Sequence, residues 1–198
     1  YRPLLGDGGL LERVKPTAFP RLEVIPSEVD LCGAEVELAR ADDNLLRLRS
    51  AFGPLKESGR FDVILLDCPP ALGLLTLNAY AASDQLIIPL QCEYYALEGL
   101  SDLVNTVRKV HADFNRQLGV LGLLRVMFDP RITLQQQVSE QLKTHFGDKV
   151  FNTLIPRNVR LAEAPSYGMP GVVFDPAAKG SQAFVEFARE LVERAPKL

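Results

Sequence analysis

The feature that most constrains this chain is a hydrophobic period that switches repeatedly between strand and helix. Val63-Ile64-Leu65-Leu66 and Gln85-Leu86-Ile87-Ile88-Pro89 are apolar on both faces, the pattern of strands buried in a parallel sheet. Val120 to Met127, and Val150 to Ile155 closed by Pro156, read as two more strands, and Leu22 to Pro26 as a shorter one. Between them the period lengthens to that of an amphipathic helix. The spacing predicts helices over 35–55, 73–82, 97–114, 134–146 and 181–194, the clearest striped by Leu97, Leu100, Leu103, Val104, Val107, Val110 and Phe114. Strands alternating with such helices imply βαβ units. The expected class is therefore α/β: a doubly wound, mostly parallel sheet with helices on both faces, in one domain spanning 1–198. Ligands of such sheets sit outside the carboxyl ends of the strands. Residues 67–70, 89–95, 127–131 and 156–160 are the places to look.

Composition narrows the function. Twenty-two basic against 25 acidic residues give a net charge of −3, which argues against a uniformly basic nucleic-acid binder or a polybasic membrane protein. A local basic patch stays open: Arg125, Arg131, Lys143, Lys149, Arg157 and Arg160 outnumber Asp129, Glu140 and Asp148 between Gly119 and Arg160. Such a patch either binds DNA phosphates without sequence preference or is an ordinary solvated face. No apolar run approaches the ~20 residues of a membrane span, so no membrane partner is expected. The opening Tyr1 to Gly6 reads as neither a signal nor a transit peptide, and a cytoplasmic location is expected. Cys32, Cys68 and Cys92 form no C-x-x-C, and His111 and His145 stand at no zinc spacing; all three read as reduced, buried thiols.

Asp67 ends an apolar run, and Pro69 and Pro70 after it fix the exit of the chain. An Asp at the carboxyl tip of a buried strand fits a Walker B carboxylate, which holds Mg²⁺ through water beside nucleotide phosphates. It also fits, less well, an Asp capping the next helix. Pro156 and Asn158, after the last strand, suit a nucleotide base, the proline packing on a purine and the amide reading its edge. Asn158 also suits a helix cap. Met127 is a weaker candidate for the same pocket. Glu93, Tyr94, Tyr95 and Glu98 suit a partner surface, unless one ring packs beneath the following helix.

Asp67-Cys68-Pro69-Pro70-Ala71-Leu72-Gly73-Leu74-Leu75-Thr76-Leu77-Asn78-Ala79 resembles the switch II segment of the ParA/Soj chromosome- and plasmid-partitioning ATPases. Pro89-Leu90-Gln91-Cys92-Glu93-Tyr94-Tyr95-Ala96-Leu97-Glu98-Gly99-Leu100 and Ile155 to Gly168 are similar to two further hallmarks of that family. Met127 to Arg131 and Phe174 to Gly180 follow in the right order, so the resemblance runs from about Tyr1 to Leu191. It implies ATP and Mg²⁺ as cofactors, an ATP-sandwich homodimer with Glu93, Tyr94 and Glu98 near its face, and binding of non-specific DNA. It also implies stimulation by a centromere-binding ParB-type protein at the nucleoid. Asp67 would serve the Mg²⁺ and water network, Met127, Pro156 and Asn158 the base, and Arg131, Arg157 and Arg160 the DNA.

One departure stands out. The family's phosphate loop needs clustered glycines, a lysine and a Ser/Thr hydroxyl. Gly6-Asp7-Gly8-Gly9 has glycines but no Lys-Ser/Thr after them, and reads as a turn. The switch I aspartate has no counterpart either. The sequence is expected to be either a fragment of the family's domain or a non-catalytic ParA-like interaction module that binds no nucleotide; in both cases these 198 residues alone are expected to be inactive. An iron–sulfur site on Cys68 and Cys92, as in the related nitrogenase iron protein, is disfavoured by their apolar settings. A membrane-seated relative is disfavoured by the final helix, where Glu186, Glu190 and Glu193 offset Arg189 and Arg194.

Overall fold

The computed structural model describes residues 2–195. Tyr1, residues 196–198 and the side chain of Cys32, read above as a buried thiol, lie outside the described residues. The chain forms two compact units, Tyr1–Asp84 with Thr106–Leu118, and Gln85–Asn105 with Gly119–Leu198.

The first unit is largely helical. A two-residue antiparallel ribbon joins β1 (Lys15–Pro16) to β2 (Glu23–Val24). Helices α1 (Leu31–Leu38), α2 (Arg47–Glu57) and α3 (Leu74–Ala82) follow. Ala34 and Leu38 of α1 pack with Leu4, and Phe52 and Leu55 of α2 pack with Leu10.

The single helix expected over 35–55 is in fact two, parted by turns from Ala39 to Leu46. The cause is Asn78 on α3, 1% exposed. A continuous helix would bond Leu48 N–H to Asn44 C=O, four residues back. The Asn78 carboxamide replaces that bond: its Oδ1 accepts from Leu48 N–H at 3.1 Å and its Nδ2 donates to Asn44 O at 2.7 Å. Asp42, Asp43 and Asn44, poor helix formers that favour turns, occupy the break.

The strand expected at Val63–Leu66 also needs correction. The segment is extended, and Ile64 and Leu66 pack on Leu10, Phe52 and Leu55, but it joins no ladder. Val63 and Leu65 are 64% and 75% exposed. An extended chain becomes a strand only when a neighbour takes its N–H and C=O groups. Among the described residues none does. Cys68, beyond it, is exposed rather than buried.

The second unit holds the parallel sheet, in the order β3 (Gln85–Gln91), β4 (Gly119–Phe128), β5 (Val150–Pro156). Successive residues of β4 feed opposite faces. Leu123 joins Ile88, Leu100, Val138, Leu142 and Val150 on the face covered by α4 (Ala96–Asp113) and α5 (Thr133–Phe146). Leu124 joins Phe151, Ile155 and Ala183 on the face covered by α8 (Lys179–Arg194). Short helices α6 (Val159–Glu163) and α7 (Gly171–Phe174) connect β5 to α8. This is the expected α/β architecture, with helices on both faces.

The β4–β5 ladder is irregular, and two side chains repair it. Opposite Leu123–Arg125, β5 runs from Val150 to Leu154, two residues longer. Arg125, 1% exposed, donates from Nη2 to Phe151 O at 2.6 Å and Asn152 O at 3.2 Å, and from Nη1 to Ser139 Oγ at 2.7 Å. Burial lowers its pKa, against the opposing pull of Cys92 and Glu190. From α8, Glu190 accepts Asn152 N–H at 2.7 Å, Thr153 N–H at 2.8 Å and the Thr153 hydroxyl at 2.7 Å. Arg125 therefore contributes nothing to a basic surface, and Glu190 is no solvated helix charge.

Candidate functional site

The carboxyl edge of the sheet in the second unit gathers most of the candidates. Phe128 and Pro156 are register partners, and Arg157 N–H donates to Phe128 O at 3.2 Å. The turn after β4 and the turn after β5 are thus held side by side, bringing Met127, Asp129 and Arg131 together with Pro156, Arg157 and Asn158.

Met127 sits where β4 carries its own extra residue, between Arg125 and Phe128, and adopts φ +54°. That left-handed conformation is uncommon for any residue but glycine, Asn or Asp, and such strain clusters at ligand sites. At the bulge, Met127 is 43% exposed. Met127→Ile is expected to cost about 1–3 kcal/mol, because a β-branched residue resists positive φ. Met127→Gly should stay within about 1 kcal/mol of wild type, relief of strain offsetting the added chain entropy. Thermal unfolding of the two variants checks this; equal losses would show that the backbone conformation is not the cause.

Asn158 caps α6: its Oδ1 accepts from Leu161 N–H at 3.2 Å. Its Nδ2 has no hydrogen-bond partner among the described residues, so the cap leaves a donor available. The loop is fixed by close packing, since a Cβ at Gly180 would meet Leu161 Cδ1 at 2.5 Å and Asn158 Cβ at 2.9 Å.

The three candidate arginines differ. Arg131 reaches back to Asp129, with Nε–Oδ1 at 2.9 Å and Nη2–Oδ2 at 2.7 Å. Hydrogen bonds from the Arg131 side chain and backbone hold the Asp129 carboxyl down to about 2. Arg160 is engaged by Asp175 and Glu163. Arg157 is exposed and in no ion pair among the described residues.

After β3, Glu93 and Glu98 are exposed, and neither tyrosine packs beneath α4. Tyr94 and Tyr95 are 75% and 71% exposed and meet edge to face, ring centroids 5.0 Å apart. Cys92, just before them, is buried.

Asp67 lies in the first unit, exposed. It caps no helix. Gly73 precedes α3 without a side-chain cap, and Glu35 instead serves that end, its Oε1 accepting from Leu75 N–H at 3.2 Å. The Asp67 carboxylate has no hydrogen bond among the described residues. The neighbouring Cys68 thiol is pushed up by partial desolvation and then by the Asp67 charge.

Sequence reasoning missed Arg125, Asn78, Glu35 and Glu190 as polar anchors. Only Arg125 left a trace: it shares the inward-facing alternation of Leu123 in an otherwise apolar run.

A family model described as an AAA domain matches residues 1–120. The sporulation initiation inhibitor protein Soj of Bacillus subtilis is 47% identical over 191 residues, 96% of this chain and 75% of that protein. The chromosome partitioning protein ParA of Caulobacter vibrioides is 42% identical over 194 residues, 98% of this chain and 73% of that protein. Among solved structures, the cobyrinic acid a,c-diamide synthase of Mycobacterium smegmatis with bound ATP analog and magnesium superposes with a TM-score of 0.78 at 31% identity, covering 97% of this chain and 70% of the other. With relatives at this level over nearly its whole length, the chain belongs to the ParA/Soj family of chromosome-partitioning ATPases.

Proposed function

We propose that these residues belong to a domain that, when it also carries a phosphate loop, serves DNA segregation in the cytoplasm: it then binds Mg-ATP and, as a nucleotide-dependent homodimer, non-specific nucleoid DNA, with hydrolysis stimulated by a centromere-binding ParB-type partner. The observation that carries the reading is the meeting of Met127, Pro156 and Asn158 at the carboxyl edge of a parallel sheet, where nucleotides bind in folds of this class. Among the solved structures similar to this chain, the Mycobacterium smegmatis synthase holds an ATP analog and magnesium.

The residues present suit two parts of such a ligand. Met127 and Pro156 offer apolar contact to a base, and Asn158 Nδ2 a free donor to its edge. Asp67, exposed and without a hydrogen bond among the described residues, would accept from water on Mg²⁺. When bound, that ion would neutralise charge on the phosphates. Arg131, Arg157 and Arg160 are the proposed DNA contacts, and Glu93, Tyr94 and Glu98 the proposed dimer face. No helix among the described residues is long and apolar enough to cross a membrane.

The triphosphate is a different matter. Gly6 and Gly8 take φ +98° and +81°, as tight turns require, but Asp7 between them repels phosphate. No G-x-x-x-x-G-K-[ST] occurs within residues 1–198. Without that cradle the γ-phosphate lacks its electrostatic hold. The 198-residue polypeptide is therefore expected to hydrolyse ATP no faster than buffer and to show no Mg-ATP-dependent dimer. A steady turnover of about one per minute, still far below the ~1–10³ s⁻¹ of ordinary enzymes, would contradict this.

A further inference from the structure

Arg160 stands in the middle of a small closed system. Its Nε donates to Asp175 Oδ2 at 3.0 Å and its Nη1 to Glu163 Oε2 at 2.8 Å. Its guanidinium lies 5.0 Å from the centroid of Phe174, which stacks in turn on Tyr167 at 4.8 Å. The side chain is still 53% exposed, so solvent reaches it. Asp175 has a second task, its Oδ1 accepting Ala178 N–H at 3.1 Å at the entry to α8.

Asp175 and Glu163 occupy two donors on different edges of the guanidinium, donors that would otherwise be open to phosphate oxygens, since both anions accept charge-assisted hydrogen bonds from arginine. Ion pairs this exposed are weak and easily exchanged. We propose that Glu163 and Asp175 form an internal latch that occupies Arg160 in place of a nucleic-acid phosphate, so that DNA binding requires the guanidinium to change partners. The inference rests on the reading of Arg160 as a DNA contact and adds its regulation. The freed carboxylates must then face an anionic duplex, which sets affinity below what a bare arginine would give. The latch makes affinity adjustable by anything that draws Asp175 or Glu163 away.

The test is a double-mutant cycle on a polypeptide that carries a phosphate loop together with these residues, using a random-sequence DNA duplex with Mg-ATP over a salt series. Glu163→Gln with Asp175→Asn keeps size and keeps an acceptor for Ala178 N–H while removing both charges. This pair is expected to tighten duplex binding by about two- to tenfold, the range that exchange of weak surface ion pairs allows. Arg160→Ala alone should weaken binding and flatten the slope of log affinity against log salt by roughly 0.9. In the Arg160→Ala background the gain from the carboxylate pair should vanish. A gain that persists there would mean simple relief of like-charge repulsion and would overturn the latch while leaving Arg160 as a DNA contact. No gain in the wild-type background, with Arg160→Ala still weakening binding, would overturn it equally. Unchanged affinity and slope for Arg160→Ala would overturn the DNA reading of this residue and the latch with it. The singles Asp175→Asn and Glu163→Gln, each expected to give part of the gain, keep the test decisive should the double variant fold poorly.

Discussion

Asn78→Leu is expected to lower the unfolding free energy by about 2–4 kcal/mol, the largest loss from any near-isosteric change in the first unit. Leucine fills a similar volume, so no sizeable cavity adds to the cost. What is lost is the bridge between two helices: Leu48 N–H and Asn44 C=O are left facing an apolar side chain. They cannot recover by bonding each other, because the turns from Ala39 to Leu46 hold them apart. At roughly 2–4 °C per kcal/mol for a chain of this size, the midpoint should fall by about 4–16 °C. Asn78→Asp should also be destabilising, since a carboxylate would face the carbonyls of Asn44 and Leu74 to which Nδ2 now donates. A loss below about 1 kcal/mol for the leucine variant would mean that the helix break is set by the Asp42-Asp43-Asn44 run alone.

Glu190→Ala should cost about 2–3 kcal/mol near neutral pH, because one carboxylate serves two backbone N–H groups, a hydroxyl and the Arg194 guanidinium. Arg194 would lose its anchor while still reaching Asp148 O and Val150 O. The effect carries a pH signature. Burial alone would raise the Glu190 pKa, but the bonds from Thr153 and Asn152 and the charge of Arg194 outweigh it and hold the group below its ordinary value. A depressed folded-state pKa contributes stability that is fully present above the unfolded value of about 4.3 and is lost as pH falls through the lower folded value. The gap between wild type and variant should therefore be constant from pH 7 to about 5 and narrow below about 4. Denaturant unfolding at several pH values measures it, and a gap that widened on acidification would contradict the assignment.

The three strands of the sheet, and α3, α4, α5 and α8, were legible because each carries its own period and is bounded by Gly, Pro or a polar run. The division of the expected 35–55 helix was not, because its cause lies about thirty residues further along, on α3. The extended segment at 63–66 has a strand's composition, yet a strand needs a neighbour, and composition does not supply one. At the candidate site, the strand-end Pro156 and the cap-forming Asn158 were legible from local chemistry. The positive φ of Met127 was not, since it follows from a register slip between β4 and β5 that pair periodicity cannot express. Nor were the partners of Arg131 and Arg160, because counting charges along a segment ignores which carboxylate folds back onto which cation. Four of the six basic residues counted there are engaged by protein groups: Arg125 in the core, Arg131 with Asp129, Lys149 with the Val120 carbonyl, Arg160 with Asp175 and Glu163.

The most direct measurement of whether this chain carries the metal-facing part of a partitioning ATPase is Mg-dependent ATP hydrolysis by wild type and Asp67→Ala, in a polypeptide that joins a phosphate loop to these 198 residues. Asp67 is exposed and holds no hydrogen bond among the described residues, so its removal should leave the unfolding midpoint unchanged within about 2 °C, as for surface substitutions. Hydrolysis should fall by roughly 10²-fold or more, the scale of losing a preorganised electrostatic contact to the reacting group. Hydrolysis that survives the substitution would contradict the assignment, and so would a fall in midpoint as large as that of Asn78→Leu, which would make Asp67 structural instead.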